Sequence, residues 1–283
     1  MTASEHGDVF SGAGGVRIAW RAWLPDGDPR AVVVIAHGAG EHIGRYEHVV
    51  ARLVSERYAV YGLDHRGHGY SDGPRALIDR VDNAVADLDR LVVLAQELDL
   101  GGELFLLGHS MGGCLAVRYA IAHQQRLRGL LLSGPLAALD AAPPPVRLIA
   151  SVLSALTPRL PLFAVDPSLV SRDPAVVKAY ENDPLVHHGK LPVRTVAELA
   201  AAVDAFPSSV GAITVPTLIM YGTEDRLAPP AGSVMLGERI GAADKTVIPY
   251  EGLYHEILNE PEQDRVMDDM CAWLNAHVGV AAA

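Results

Sequence analysis

Six short apolar runs recur along the chain, and no other feature constrains its fold as strongly. They are Ala31 to Ala36 (AVVVIA), Tyr58 to Leu63 (YAVYGL), Glu103 to Leu107 (ELFLL), Gly129 to Leu132 (GLLL), Thr217 to Tyr221 (TLIMY) and Lys245 to Pro249 (KTVIP). Runs without polar alternation suit strands buried on both faces of a parallel sheet. The stretches between them have helical period. In Asn83 to Leu98, Val85, Leu88, Leu91, Val92 and Ala95 share one face, while Asp87, Asp89 and Arg90 fall outside it. Glu47 to Arg57, Met111 to His123, Ala231 to Ile240 and Pro261 to His277 read the same way. Val16 to Trp23 adds a strand before the series, ended by the turn Asp26-Gly27-Asp28-Pro29. Strands alternating with helices predict a doubly wound α/β domain with a mostly parallel sheet.

The alternation fails between Leu136 and Pro207, where no convincing strand occurs. Residues 135–207 hold 11 of the 19 prolines, which favours irregular and helical structure there. The predicted organisation is a core made of residues 1–135 and 208–283, with residues 136–207 inserted as a helical cap. Within the cap, Val146 to Thr157 is apolar around most of its circumference, as expected of a helix that is buried or that faces something greasy. Asp173-Pro174 is an N-cap followed by proline at the first helical position, so Pro174 to Glu181 should be a second cap helix.

Charge and chain start narrow the function classes. A formal charge of -11 repels phosphate backbones, which argues against a nucleic-acid partner. No apolar run approaches the roughly 20 residues of a membrane span. The opening MTASEHGDVFSGAGGVRIAW lacks the basic start and apolar core of a secretory signal, so the expected compartment is the cytoplasm, with peripheral lipid contact through the cap left open. Two cysteines, Cys114 and Cys271, read as buried thiols rather than a disulfide.

The strongest local signal is Gly108-His109-Ser110-Met111-Gly112, a G-x-S-x-G pattern between a buried strand and a helix start. The turn at Ser110 is sharp, and glycines at 108 and 112 leave room for it. The serine hydroxyl is then held at a helix N-terminus, where the Met111 N–H can stabilise an oxyanion. The competing reading is a plain N-cap serine. A serine nucleophile needs a base, and the base needs an orienting acid. Asp225 follows the strand Thr217 to Tyr221, and His255 follows Lys245 to Pro249, so both sit where loops leave strand carboxyl ends. Their competing readings are a helix-capping aspartate and a packing histidine. His37-Gly38-Ala39-Gly40-Glu41-His42 follows Ala31 to Ala36, and glycines on both sides of Ala39 let its N–H serve as the second oxyanion donor. Asp64-His65-Arg66-Gly67-His68-Gly69 and His187-His188 read as structural loops. There is no G-x-x-x-x-G-K, no strand-borne G-x-G-x-x-G and no H-E-x-x-H, so no metal or organic cofactor is implied.

Taken together, HGAGEH at 37–42 with Arg45-Tyr46, LDHRGHGYS at 63–71, GHSMGG at 108–113, NDPL at 182–185 and GTED at 222–225 resemble the monoacylglycerol lipase family of serine α/β-hydrolases. The resemblance runs from about Val16 to Leu274. It implies Ser110, Asp225 and His255 as the triad and Ala39 and Met111 as oxyanion donors. It also implies Glu41, Arg45 and Tyr180 as residues around a glycerol pocket. The chain departs from the mammalian pattern in three respects: its cap has no cysteine, Ala228 replaces a reactive cysteine, and Leu258 replaces a second histidine. The function implied is hydrolysis of a monoacylglycerol to glycerol and a fatty acid through an acyl-enzyme. A broader carboxylesterase or lysophospholipase is the nearest rival, and a non-catalytic ligand-binding protein of the same fold is the rival of another class.

Overall fold

The structure, a computed structural model, describes residues 4–98, 102–139 and 153–279. Eight strands form one sheet: β1 (Ser4–Ser11), β2 (Arg17–Leu24), β3 (Ala31–Ala36), β4 (Tyr58–Leu63), β5 (Leu104–His109), β6 (Gly129–Ser133), β9 (Thr217–Gly222) and β10 (Lys245–Tyr250). Their spatial order is β1-β2-β4-β3-β5-β6-β9-β10. The β1–β2 and β2–β4 pairs are antiparallel, and all the others are parallel. The mostly parallel α/β sheet is the one expected from the alternation, and its order is that of the α/β-hydrolase fold implied by the resemblance. All six apolar runs are strands, displaced at their ends by no more than two residues.

Why the runs are unbroken is visible in β3. Val32, Val34 and Ala36 belong to one core cluster, and Ala31, Val33 and Ile35 to the other. Each face of the strand is covered, so neither set can be polar. The first cluster is closed by α2 (Val81–Leu98), α3 (Met111–His123) and α5 (Val193–Ser209), and the second by α1 (Glu47–Ser55) and α7 (Gln263–His277). Helix α6 (Pro230–Arg239) adds Leu236 to the first cluster. Each fully buried valine or isoleucine side chain of β3 contributes roughly 1.5–3 kcal/mol relative to exposure.

Four elements escaped the reading of the sequence: an edge strand, a pair of short strands, and helix α5, which runs from the expected cap into the main core. β1, SEHGDVFS, is an exposed edge strand paired from Ser4↔Leu24 to Ser11↔Arg17, and its polarity hides it. The segment expected to lack strands contains a small antiparallel pair, β7 (Pro161–Phe163) with β8 (Leu191–Pro192). Three and two residues with a proline in each leave no alternation to read.

Between β6 and β9 the chain leaves the sheet. Helix α4 (Pro174–Asn182) forms as expected, with the Asp173 side chain accepting from the Ala175 N–H at 2.8 Å. Of the expected helix Val146 to Thr157, residues 153–156 are helical and the part before Leu153 lies outside the described residues. Helix α5 starts beside β8 and ends in the main core, where Leu199, Ala202, Val203 and Phe206 are buried. The DHRGHG loop is structural, as read. Arg66 is buried and donates from Nε to Asp87 and from Nη1 to Asp79, both at 2.9 Å, and from Nη2 to the Ala13 carbonyl. Cys114 and Cys271 are buried free thiols.

Candidate active site

Three loops at the carboxyl ends of β5, β9 and β10 bring together residues far apart in sequence. At the end of β5 the chain turns into α3 at Ser110, whose φ of 54° and ψ of −119° lie outside the regions that non-glycine residues favour. A Cβ on Gly108 would approach the Gly112 carbonyl oxygen to 2.5 Å, which explains the glycine before the turn. The Ser110 side chain makes no capping bond to α3, which removes the plain N-cap reading. Instead its hydroxyl donates to His255 Nε2 at 2.8 Å.

The other face of the same imidazole meets Asp225: His255 Nδ1 donates to Asp225 Oδ2 at 2.8 Å. Asp225 is itself fixed by a tight turn, because its Oδ1 accepts from the N–H groups of Leu227 and Ala228. Both side chains are buried. Burial disfavours the charged imidazolium of His255, but the carboxylates of Asp225, Glu256 and Glu41 outweigh it and raise the pKa above the ordinary 6.5. The arrangement can move a proton from the serine onto the ring and hold the resulting cation.

A cavity opens over Ser110. Gly38, Ala39 and Met111 line it together with the serine, so both residues of the candidate oxyanion pair border the same space. The Gly38 N–H donates to Glu41 Oε1 at 2.5 Å, and the Tyr46 hydroxyl donates to the same oxygen at 2.7 Å. These bonds fold the loop carrying Ala39. Burial works against the ionised Glu41, yet the nearby Arg45 guanidinium and the Tyr46 hydroxyl bring its pKa down to about 2.

The residues matched to the glycerol pocket divide. Glu41 and Tyr180 line the cavity, whereas Arg45 is not among the lining residues. Arg45 lies behind them, donating to Glu41 Oε2 at 2.8 Å and to both oxygens of Glu256 at 2.6 and 2.8 Å, with its guanidinium 4.7 Å from the centre of the Tyr180 ring. Glu256 is buried and lines the cavity, yet the sequence reading passed over it. Its position directly after His255 was the available signal. His109 also lines the cavity and is anchored by the Ser133 carbonyl at 2.9 Å; burial lowers its pKa, which keeps the ring neutral. Leu136, Phe163, Val170, Leu191 and Leu199 make the remainder of the wall apolar.

Among the described residues no group of histidine, cysteine, aspartate and glutamate has metal-site geometry, and no helix is long and apolar enough to cross a membrane.

A mostly parallel sheet of this order, carrying a serine at its central strand-to-helix turn bonded through histidine to aspartate, defines a serine α/β-hydrolase. Comparison with known proteins narrows this. Residues 27–262 match the family model described as serine aminopeptidase, S33. A monoacylglycerol lipase of Mycolicibacterium smegmatis is 44% identical over 278 residues, 98% of this chain and 99% of that protein. The human monoglyceride lipase is 35% identical over 273 residues, 95% of this chain and 90% of its own. The crystal structure of Paleococcus ferrophilus monoacylglycerol lipase superposes with a TM-score of 0.81 at 32% identity, covering 98% of this chain and all of that one. The chain belongs to the monoacylglycerol lipase family of serine hydrolases, as the motifs in its sequence suggested.

Proposed function

We propose that this protein hydrolyses monoacylglycerols to glycerol and free fatty acid through a covalent acyl-serine intermediate. One observation carries the reading: the unbroken hydrogen-bonded chain Ser110–His255–Asp225 opens onto a mostly apolar cavity that also holds the polar side chains of Glu41, Tyr180 and Glu256. An ester with one long acyl chain and a hydroxylated alcohol combines the same two characters. The names and coverage of the relatives support the same substrate class.

In this mechanism Ser110 Oγ attacks the ester carbonyl carbon as His255 Nε2 takes its proton. Asp225 keeps Nδ1 protonated and stabilises the imidazolium. The N–H groups of Ala39 and Met111 receive the oxyanion, and the positive end of α3 adds to their field. The imidazolium then protonates the departing glycerol oxygen, leaving the acyl-serine. Water, deprotonated by the same nitrogen, attacks the acyl carbon; the acyl–Oγ bond then breaks as the imidazolium returns the proton to Ser110, and the fatty acid leaves.

Residues 136–207 serve as the cap. Phe163, Val165, Val170, Leu191 and Leu199 supply apolar wall from that segment, which supports an acyl-chain role for it. Leu156, Leu160, Leu162 and Phe163 are exposed around β7, and Phe163 also lines the cavity. Exposed apolar side chains next to one that also lines the cavity support peripheral docking on a lipid aggregate, with substrate entering past Phe163.

Labelling with a fluorophosphonate probe tests the machinery. The wild-type protein should carry the adduct on Ser110, and Ser110→Ala should carry none. An unlabelled wild-type protein that nonetheless binds monoacylglycerol would move the reading to a non-catalytic lipid binder.

A further inference from the structure

The cavity lining differs in charge as well as polarity: Leu136, Val170 and Leu199 belong to its apolar part, and Glu41, His109 and Glu256 to its polar part. The carboxylates stand by the reacting groups, since a Cβ on Gly38 would meet both Glu41 Oε1 and the Ser110 Cβ, and Glu256 directly follows the general base His255. An acyl ester therefore fits with its chain along the apolar wall and its leaving alcohol toward the carboxylates, which make the alcohol end. The charge at the alcohol end is set by two buried carboxylates, Glu41 and Glu256, with one guanidinium, Arg45, between them. That cation is held by three hydrogen bonds and one ring: Nη1 donates to both carboxylates, Nη2 donates to Glu256, and its face covers Tyr180. Two negative groups against one positive leave a net negative charge. His109 does not offset it, because burial keeps that ring neutral. His255 is paired with its own carboxylate, Asp225.

We propose that Glu41, Arg45 and Glu256 form a charge filter at the alcohol end, accepting esters of uncharged polyols and rejecting those whose leaving alcohol carries a phosphate. The inference rests on the monoacylglycerol reading and deepens it by stating what the alcohol end excludes. Glycerol hydroxyls donate to carboxylate oxygens. An ionised phosphate offers only acceptors and a like charge, in a cleft where salt screens poorly. Arginine is the usual phosphate-binding side chain, but here the Arg45 fork is already filled by Glu256. Glu256 sets the specificity from the position next to the general base, so the two functions share one loop.

A matched pair of substrates tests this: 1-oleoylglycerol and 1-oleoylglycerol 3-phosphate, each in neutral-detergent micelles. The wild-type kcat/KM should favour the uncharged ester by on the order of a hundredfold. In Glu256→Gln, which removes one carboxylate charge and frees part of the Arg45 fork, the phosphate-to-neutral ratio should rise by about tenfold. A second arm needs no variant. The phosphate monoester loses one charge near a pKa of about 6, so the wild-type ratio should rise as the pH falls through that value. Titration of His255 is common to both substrates and cancels in the ratio. Equal wild-type kcat/KM values overturn the filter, as does a Glu256→Gln ratio that stays unchanged while Ser110 is still labelled. If that variant does not fold, a wild-type ratio that is flat with pH overturns it. No turnover of either ester by the wild-type protein overturns the monoacylglycerol reading and the filter with it.

Discussion

A Cβ on Gly112 would stand 2.0 Å from the carbonyl oxygen of Ala36, so the first turn of α3 lies directly against the end of β3. The obstructing atom is backbone and cannot rotate aside. Ser110 owes its left-handed turn to this close approach, and Ala39 lies three residues beyond Ala36 on the loop that follows it. Gly112→Ala should therefore lower stability by about 1–3 kcal/mol or more and displace the serine. Thermal unfolding together with the rate of fluorophosphonate labelling measures both effects. An unchanged melting temperature with unchanged labelling would contradict the packing described.

Acidification should abolish activity through His255. Only the neutral ring can accept the serine proton, and Asp225, Glu256 and Glu41 hold its pKa above 6.5. The acid limb of the kcat/KM profile should thus have its midpoint above 6.5. Asp225→Asn should lower kcat by about 10⁴-fold, as loss of the orienting acid does in comparable triads. It should also move the midpoint down, because the largest favourable influence on the cation is gone. A variant with the wild-type midpoint would contradict the assigned role of Asp225.

Stability should fall on acidification for a separate reason. His37, His65 and His68 pack together, with ring centres 4.5 and 5.4 Å from His37. Burial lowers all three pKa values, that of His68 to about 3. For a base with a depressed folded pKa, the unfolded chain binds more protons once the pH drops below 6.5. The stability these rings allow is complete above about 6.5 and is lost progressively as the pH falls toward their folded values. His255, with its raised pKa, works in the opposite sense: its contribution is full below 6.5 and fades as the pH rises through its folded value. With His109, whose pKa burial also lowers, four depressed rings stand against one raised, so the melting temperature should fall between pH 7 and 5. A flat profile over that range would count against the buried neutral cluster.

Removing Arg66 should leave Asp87 buried without its partner. Asp87 is 1% exposed, and burial already raises its pKa. Breaking a buried pair from one side costs about 3–5 kcal/mol. Urea unfolding of Arg66→Ala checks this, and a loss below about 1 kcal/mol would show that solvent reaches the carboxylate.

Much of this could be read in advance because it rests on local pattern. β3, β4 and α3 were delimited to the residue, since two covered faces demand uninterrupted apolar side chains in a strand and the glycines around Ser110 mark the turn. Asp225 and His255 followed from where strands end. β1 was lost because an edge strand open to water carries no hydrophobic signature, and β7 and β8 because so few residues show no period. The Glu41–Arg45–Glu256 assembly was invisible for another reason. Arg45 and Glu256 are 211 positions apart, and no local pattern announces that one will neutralise the other. The resemblance could only put Glu41 and Arg45 near an alcohol, while the folded chain shows Arg45 bonded to both carboxylates.

Entry through the cap should depend on the exposed surface of β7. Phe163→Asp should depress turnover of dispersed long-chain monoacylglycerol by about tenfold while sparing a short-chain soluble ester, because an ionised group there faces lipid. Equal losses on the two substrates would place the defect at the site and not at entry.

Fatty-acid release by the wild-type protein and by Ser110→Ala, from mono-, di- and triacylglycerol and lysophosphatidylcholine in matched dispersions, bears most directly on the function. Release chiefly from monoacylglycerol, abolished in the variant, is the predicted result. Comparable rates across all four lipids would contradict it and leave a general esterase, and release that survives in Ser110→Ala would contradict the mechanism itself.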